Sequence, residues 1–217
     1  GDSSRFTKRH TASQPTKSGV LGLLAAAQGR RRTDPIEDLA GLWFGVRVDQ
    51  RGQLMRDFQT ARTLDGRESM PLAMKYYLSD AAFVAAVSGP ASLVAGLAEA
   101  VQAPRFPLYL GRRGCPPSRP VFLEVSRLSA PEALRSTPWQ AADWYRAEQG
   151  REVHLELLTD DLPDEEHPHE LVRDLPLSYD PAGREYGWRR VVRPYPVVMP
   201  NPDGRDEPDF LAAYGGA

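Results

Sequence analysis

The chain has one cysteine, Cys115, in 217 residues, so no internal disulfide framework can support it. Its four histidines are spread along the sequence, which leaves no spacing for a structural zinc site. No apolar run approaches the roughly 20 residues of a bilayer span, and the mean hydropathy is -0.47. No contact with a membrane is expected, and the compartment reads as cytoplasmic. A Gly-x-Ser-x-Gly elbow, a His-Glu-x-x-His helix and a dinucleotide fingerprint are all missing, so the familiar hydrolase and oxidoreductase classes lack support. Neither a cofactor nor a metal is expected. There is no internal repeat. The first residue is Gly1, with no initiator Met and no signal pattern behind it, which reads as a chain trimmed at its front.

What is present is an ordinary globular composition, 41% hydrophobic and 26% charged, long enough to bury a core. The net charge of -2 conceals a segregated pattern. Residues 1–33 hold Arg5, Lys8, Arg9, Lys17, Arg30, Arg31 and Arg32 against Asp2 alone, and 105–119 hold four arginines and no acid. Residues 160–170 carry Asp160, Asp161, Asp164, Glu165, Glu166 and Glu170 with no base, and read as a solvated loop.

Residues 1–15 read as a loop. A helix follows, capped by Thr16 or Ser18, with Val20, Leu21, Leu23 and Leu24 as its apolar face and Gly29 suited to its end. Asp34, Pro35 and Glu37 announce a second short helix ending near Gly41. Leu42–Asp49 and Leu54–Thr60 are strand-like runs around Gln50-Arg51-Gly52, which predicts a hairpin. Residues 61–72 are apolar-poor, and Met74–Val87 returns as one or two strands, so a protruding thumb is expected around 54–80. A helix begins at Gly89-Pro90-Ala91-Ser92 and ends before Pro104. Val121–Val125 is a candidate closing strand, and Glu152–Leu158 and Trp188–Met199 give a β-rich remainder. This order fits an α+β, ferredoxin-like (RRM-like) domain over 1–127 whose first strand lies before Gly1, followed by a small β-rich C-terminal region and tail over 128–217.

Two clusters carry chemistry. Arg9-His10-Thr11 with Pro15-Thr16-Lys17-Ser18-Gly19 brings bases and hydroxyls to a helix amino end, which attracts anions. It reads equally as a capped helix behind a basic loop. Arg105-Phe106-Pro107-Leu108-Tyr109-Leu110-Gly111-Arg112-Arg113 alternates arginines with aromatics, the mixture that neutralises phosphates and stacks on unpaired bases. The alternative is a loop of core anchors with solvated arginines. In Tyr76-Tyr77 adjacent strand residues point opposite ways, so only one tyrosine can line an RNA face, with Arg56 and Lys75 near by. His167-Pro168-His169 implies no third metal ligand. His10 with Tyr76 or Lys17 could serve a ribonuclease, though nothing in the spacing demands it.

Four blocks, Pro15 to Leu24, Phe44 to Asp49, Tyr77 to Phe83 and Leu110 to Arg113, resemble in order the CasD family of type I-E CRISPR Cascade subunits, one of the repeat-associated mysterious proteins. That resemblance implies a RAMP fold with a thumb, and a non-catalytic subunit that caps the guide RNA (crRNA) by its 5′ handle. It further implies the backbone subunit CasC and the large subunit CasA as neighbours, with target DNA met only through the complex. On it, Arg9, Thr11, Lys17, Ser18, Arg56, Tyr76, Arg112 and Arg113 are the candidate RNA-binding residues. The rival reading is a metal-independent endoribonuclease that cuts CRISPR repeat RNA, because similar subunits of another subtype do cleave. A third is a protein-interaction scaffold with little RNA contact.

Overall fold

The computed structural model describes residues 8–9, 11–69, 72–161 and 168–206. Its elements are β1 (Lys8–Arg9), α1 (Lys17–Gln28), α2 (Glu37–Ala40), β2 (Trp43–Gln50), β3 (Gln53–Gln59), β4 (Ala73–Ser79), β5 (Ala82–Ser88) and α3 (Ala91–Gln102). After a long irregular stretch come α4 (Ala130–Ser136), α5 (Asp143–Glu148), β6 (Glu152–Leu155), β7 (Leu157–Thr159), β8 (His169–Ser178), β9 (Glu185–Val192) and β10 (Val197–Pro200). The main sheet is antiparallel, in the order β5-β2-β7-β9-β8, and crosses the 127/128 boundary without a break.

β2 runs through the middle of this sheet and is buried along seven of its eight residues. Alternation puts Phe44, Val46 and Val48 on one side and Gly45, Arg47 and Asp49 on the other. The second side meets α4. A Cβ on Gly45 would lie 2.7 Å from Leu134, a fully buried side chain, so only glycine lets α4 approach this closely. Val84, Leu134, Trp139, Val153, Leu155, Leu157 and Val197 form the core there. Around α1, a second cluster joins Leu21, Leu24 and Ala25 to Leu39 and Leu42 and to Leu97 of α3.

A buried ion pair pins β2 to the segment after α4. Arg47 and Asp49 are both fully buried, and the Arg47 Nε donates to Asp49 at 2.6 Å. The guanidinium has five N–H donors, and all are used. Beyond two bonds to Asp49, they reach the carbonyls of Leu134, Thr137 and Pro138. Asp49 also accepts from the Gln140 N–H at 2.6 Å. Burying two charges is costly, and complete hydrogen bonding is what offsets that cost.

Several expectations hold. The first helix starts at the Thr16 cap, whose side chain accepts from the Gly19 N–H, and ends on Gly29 at φ 83°. The helix after Pro90 and the thumb, built as a β3-β4 hairpin, are also in place. Others are corrected. Residues 1–15 are not all loop, since Lys8 and Arg9 pair in parallel with Met74 and Lys75. The two runs around Gln50-Arg51-Gly52 do not form a hairpin: β2 is occupied by β5 and β7, and β3 pairs with β4 in a separate sheet. Asp34 does not cap the second helix, because its carboxylate accepts from the Arg31 N–H and closes its own turn. Val121–Val125 forms no strand: Val121, Leu123 and Val125 are exposed and join no ladder among the described residues.

Removing one member of the Arg47–Asp49 pair should strand the other. Arg47→Met is expected to cost about 3–5 kcal/mol in urea unfolding, and the Arg47→Met/Asp49→Leu double variant less than the sum of the two single changes. A single-variant loss below about 1 kcal/mol would show that the pair is not anchoring the fold.

Candidate nucleic-acid interface

The two cation-bearing segments of the sequence meet in space. The Arg105 N–H donates to the Ala27 carbonyl at 2.9 Å and Phe106 to Ala26 at 3.3 Å, so the 105–113 loop starts against the end of α1. A Cβ on Gly29 would lie 2.6 Å from the Arg105 side chain, so glycine here serves both the left-handed turn and the fit of Arg105. The loop then reaches the other end of α1, where a Cβ on Gly19 would sit 3.3 Å from Leu110. From there Arg112 extends to the thumb. Its guanidinium lies 4.7 Å from the centre of the Tyr77 ring and donates to the Tyr76 carbonyl at 3.0 Å. Arg9 pairs with Lys75 of this same thumb strand, so the amino-terminal segment arrives at β4 from one side and the arginine loop from another.

A second group of cations lies at the far end of α1. Arg30 is neutralised by a two-pronged contact with Asp38, at 2.6 and 2.5 Å. Arg32 instead faces Arg113 across the Tyr109 hydroxyl. Burial pushes the Tyr109 pKa up, but hydrogen bonding from Arg113 and Arg32, together with their charge, outweighs it and holds the phenol below the ordinary tyrosine value. Among the described residues, no carboxylate lies within ion-pair distance of Arg32, Arg105 or Arg113. Arg32, Arg105 and Arg113 are therefore like charges with no counter-ion among the described residues.

The site residues read from the sequence divide. Arg112 and Arg113 stand in the interface, Arg112 half-buried and Arg113 exposed. Thr11 is half-buried on the approach to α1, and its hydroxyl donates to the Ala12 carbonyl. Ser18 shares its hydroxyl with Thr16 at 3.2 Å, and its carbonyl accepts from Tyr179. Arg56 is exposed on β3 opposite Tyr76, so the two share the thumb face away from Tyr77. Arg9 is placed by its backbone, and His10 lies outside the described residues. His167 lies outside them as well, and His169 sits 3.1 Å from Arg190.

Lys17 is a correction. Its side chain is buried, its ammonium donates to Asp160 at 2.9 Å, and its backbone N–H donates to Asp174 at 2.8 Å. The amino end of α1 is thus already occupied by a carboxylate of the protein, so neither Lys17 nor that helix end is open to a phosphate. Asp160 is no part of a solvated loop either: it also accepts from Arg189 at 2.7 Å and from the Phe44 N–H at 3.0 Å. Tyr77, Arg32, Arg105 and Tyr109 also stand in this candidate interface; the sequence reading quoted them within their segments but did not single them out as RNA-binding residues. The alternation of aromatics and arginines in 105–113 was the available signal for Tyr109 and Arg105. Nothing local marked Tyr77 above Tyr76.

The family described as CRISPR-associated protein (Cas_Cas5) matches residues 1–192. The Cascade subunit CasD of the CRISPR system of Escherichia coli (strain K12) is 33% identical over 177 residues, spanning 71% of this chain and 79% of that protein. A solved Cas protein crystal structure is 36% identical with a TM-score of 0.65, over 94% of this chain and 90% of its own. A chain of a CRISPR RNA-guided surveillance complex is 28% identical with a TM-score of 0.70, over 98% and 91%.

Tyr109 gives the interface a titration signature. The phenolate difference spectrum between wild type and Tyr109→Phe should show a group that ionises below an ordinary tyrosine, and Arg32→Gln should move it upward. Because the folded value is depressed, its contribution to stability is present above the ordinary pKa of about 10 and lost as pH falls through the folded value. An unmoved titration in Arg32→Gln would place Arg32 away from the hydroxyl.

Proposed function

The chain belongs to the family of CRISPR-associated proteins (Cas_Cas5), and from that premise we propose that it is the subunit of an RNA-guided surveillance complex that holds the 5′ handle of the guide RNA. It does so without cutting the RNA. The observation that carries this reading is the meeting of separate cation-bearing segments at the thumb and along α1, where arginines outnumber acids. A single-stranded polynucleotide supplies the missing counter-ions, and its unpaired bases suit the exposed aromatics.

In this reading Arg113, Arg32 and Arg105 neutralise phosphates of the handle, and Arg112 holds a nucleotide at the root of the thumb. Arg9, Thr11 and Ser18 line the approach from the amino-terminal side. Arg56 and Tyr76 on the outer thumb face, with exposed Leu54 and Phe58 beside them, wedge between bases or meet a neighbouring subunit. The backbone subunit and the large subunit, of the CasC and CasA kinds, are the protein neighbours, and target DNA is reached only through the assembly. For the nuclease reading, Lys17 is unfit as a partner for His10, since it is buried in an ion pair.

The test is guide-RNA binding by the assembled complex across a salt series, comparing wild type with Arg112→Ala/Arg113→Ala. Affinity should fall at least tenfold, and each lost phosphate contact should flatten the salt slope by about 0.7. Unchanged assembly and affinity would reject these roles. In a parallel arm, repeat RNA incubated with the protein in EDTA should stay intact, whereas a specific product that disappears in His10→Ala would establish the nuclease.

A further inference from the structure

Among the described residues, two contacts hold Arg112 to the thumb, and they act on different parts of its guanidinium. An in-plane N–H is used by the Tyr76 carbonyl at 3.0 Å, and the group lies over the Tyr77 ring at 4.7 Å. The strand supplies both: the carbonyl of one residue fixes the edge, and the ring of the next supports the group from one side. An arginine meant only to attract a phosphate needs neither contact, because a mobile point charge serves that purpose. A guanidinium held against an aromatic ring is prepared instead for stacking, since its flat surface is weakly hydrated. Arg112 is only half-buried, so part of it faces solvent at the junction of thumb and loop. Gly111, at φ 78°, gives the chain the left-handed turn that delivers Arg112 to the thumb, and the Arg112 carbonyl accepts from the Cys115 N–H at 2.9 Å, closing the next turn behind it.

We propose that Tyr77 is a positioning residue that turns Arg112 into a stacking platform for one unpaired base of the guide RNA. The pair reads a base where the thumb leaves the body, and the neighbouring Arg113 and Arg32 hold the sugar-phosphate chain. This rests on the handle-binding reading and refines it: the Arg112 contact is to a base face and not to a phosphate. It also exchanges the sequence-level choice of Tyr76 for Tyr77, because the side chain of Tyr76 lies on the opposite face of β4.

The experiment uses the assembled complex and guide RNAs in which single 5′-segment nucleotides are made abasic, with the phosphates kept. In wild type, one position should lose about tenfold in affinity when its base is removed. Arg112→Lys keeps the charge and loses the plane, so its affinity should be lower at the start, the penalty at that position should vanish, and the salt slope should stay as in wild type. Tyr77→Leu should behave like Arg112→Lys, and Tyr77→Phe like wild type, which also controls for folding. The platform is refuted if no position is sensitive to base removal, if the sensitivity survives in Arg112→Lys, or if Arg112→Lys binds as wild type does. Guides that lack the whole 5′ segment separate the two claims. If they bind as well as full guides, handle recognition itself fails; if they bind poorly while every abasic guide binds well, only the platform fails.

Discussion

Two aspartates and two cations at the root of α1 set the geometry of everything outside them. Asp160 binds the Lys17 ammonium, the Arg189 guanidinium and the Phe44 N–H, while Asp174 binds Arg189 and the Lys17 N–H. Arg189 also lies 5.4 Å from the Phe44 ring. One charge cluster therefore ties the first turn of α1 to β2, to the end of β7, to β8 and to β9. The charges balance, two against two, and nearly every strong donor finds an acceptor, which is the condition under which buried ions are tolerable. Once α1 is fixed on the sheet, its carbonyls at Ala26 and Ala27 receive the 105–113 loop, and the loop delivers Arg112 to the thumb. The surface cations owe their positions to the buried ones.

This division explains what the sequence could and could not disclose. Helix α1 was legible because its signals are local: Thr16 at one end, Gly29 at the other and alanines between. The thumb was legible because an apolar-poor excursion between two strand-like runs has few other outcomes. Lys17 was misread because its partner lies 143 residues away, and no spacing rule links them. A lysine at a helix start looks the same whether it faces a phosphate or an internal carboxylate. Which of Tyr76 and Tyr77 faces Arg112 was hidden for a related reason: alternation says that the two point apart, but which face meets the arginine loop is settled by tertiary packing. The interface was therefore visible as a pair of segments, and its individual contacts were not.

The mispredicted hairpin has its own physical cause. Gln50-Arg51-Gly52 is a good turn, yet β2 cannot accept β3 as a neighbour because β5 and β7 take both of its edges. Gln50 confirms the parting of the chain: its amide donates to the Asp80 carbonyl at 2.6 Å and accepts from the Ala142 N–H at 2.9 Å, so it bridges the foot of the thumb to the segment after α4. Asp80 itself takes a left-handed conformation at φ 55°, a costly choice for a residue other than glycine. The strain sits where the chain leaves the thumb and re-enters the main sheet as β5. The thumb is thus a hairpin carried on a braced hinge, and Arg112 meets it at Tyr76 and Tyr77, four and three residues before that hinge.

A protein with a net charge of -2 can still grip a polyanion, because what matters is where its charges are left uncompensated. Arg47, Arg189 and Lys17 are matched by buried aspartates, Arg30 by Asp38, and Arg193 by Glu156 and Glu170. Those pairs cancel within a few ångströms and contribute little field beyond. Arg32, Arg105 and Arg113 have no such match among the described residues, and Arg32 and Arg113 share only the neutral Tyr109 hydroxyl, which fixes their positions and does nothing to neutralise them. At physiological salt the field of such a group extends about 8 Å, the scale of the adjacent phosphates of one strand. Local surplus, and not the total, selects the partner. The surplus lies around the 105–113 loop and ends near the Arg112–Tyr77 contact at the root of the thumb, and the proposed grip on a single strand rests on that placement.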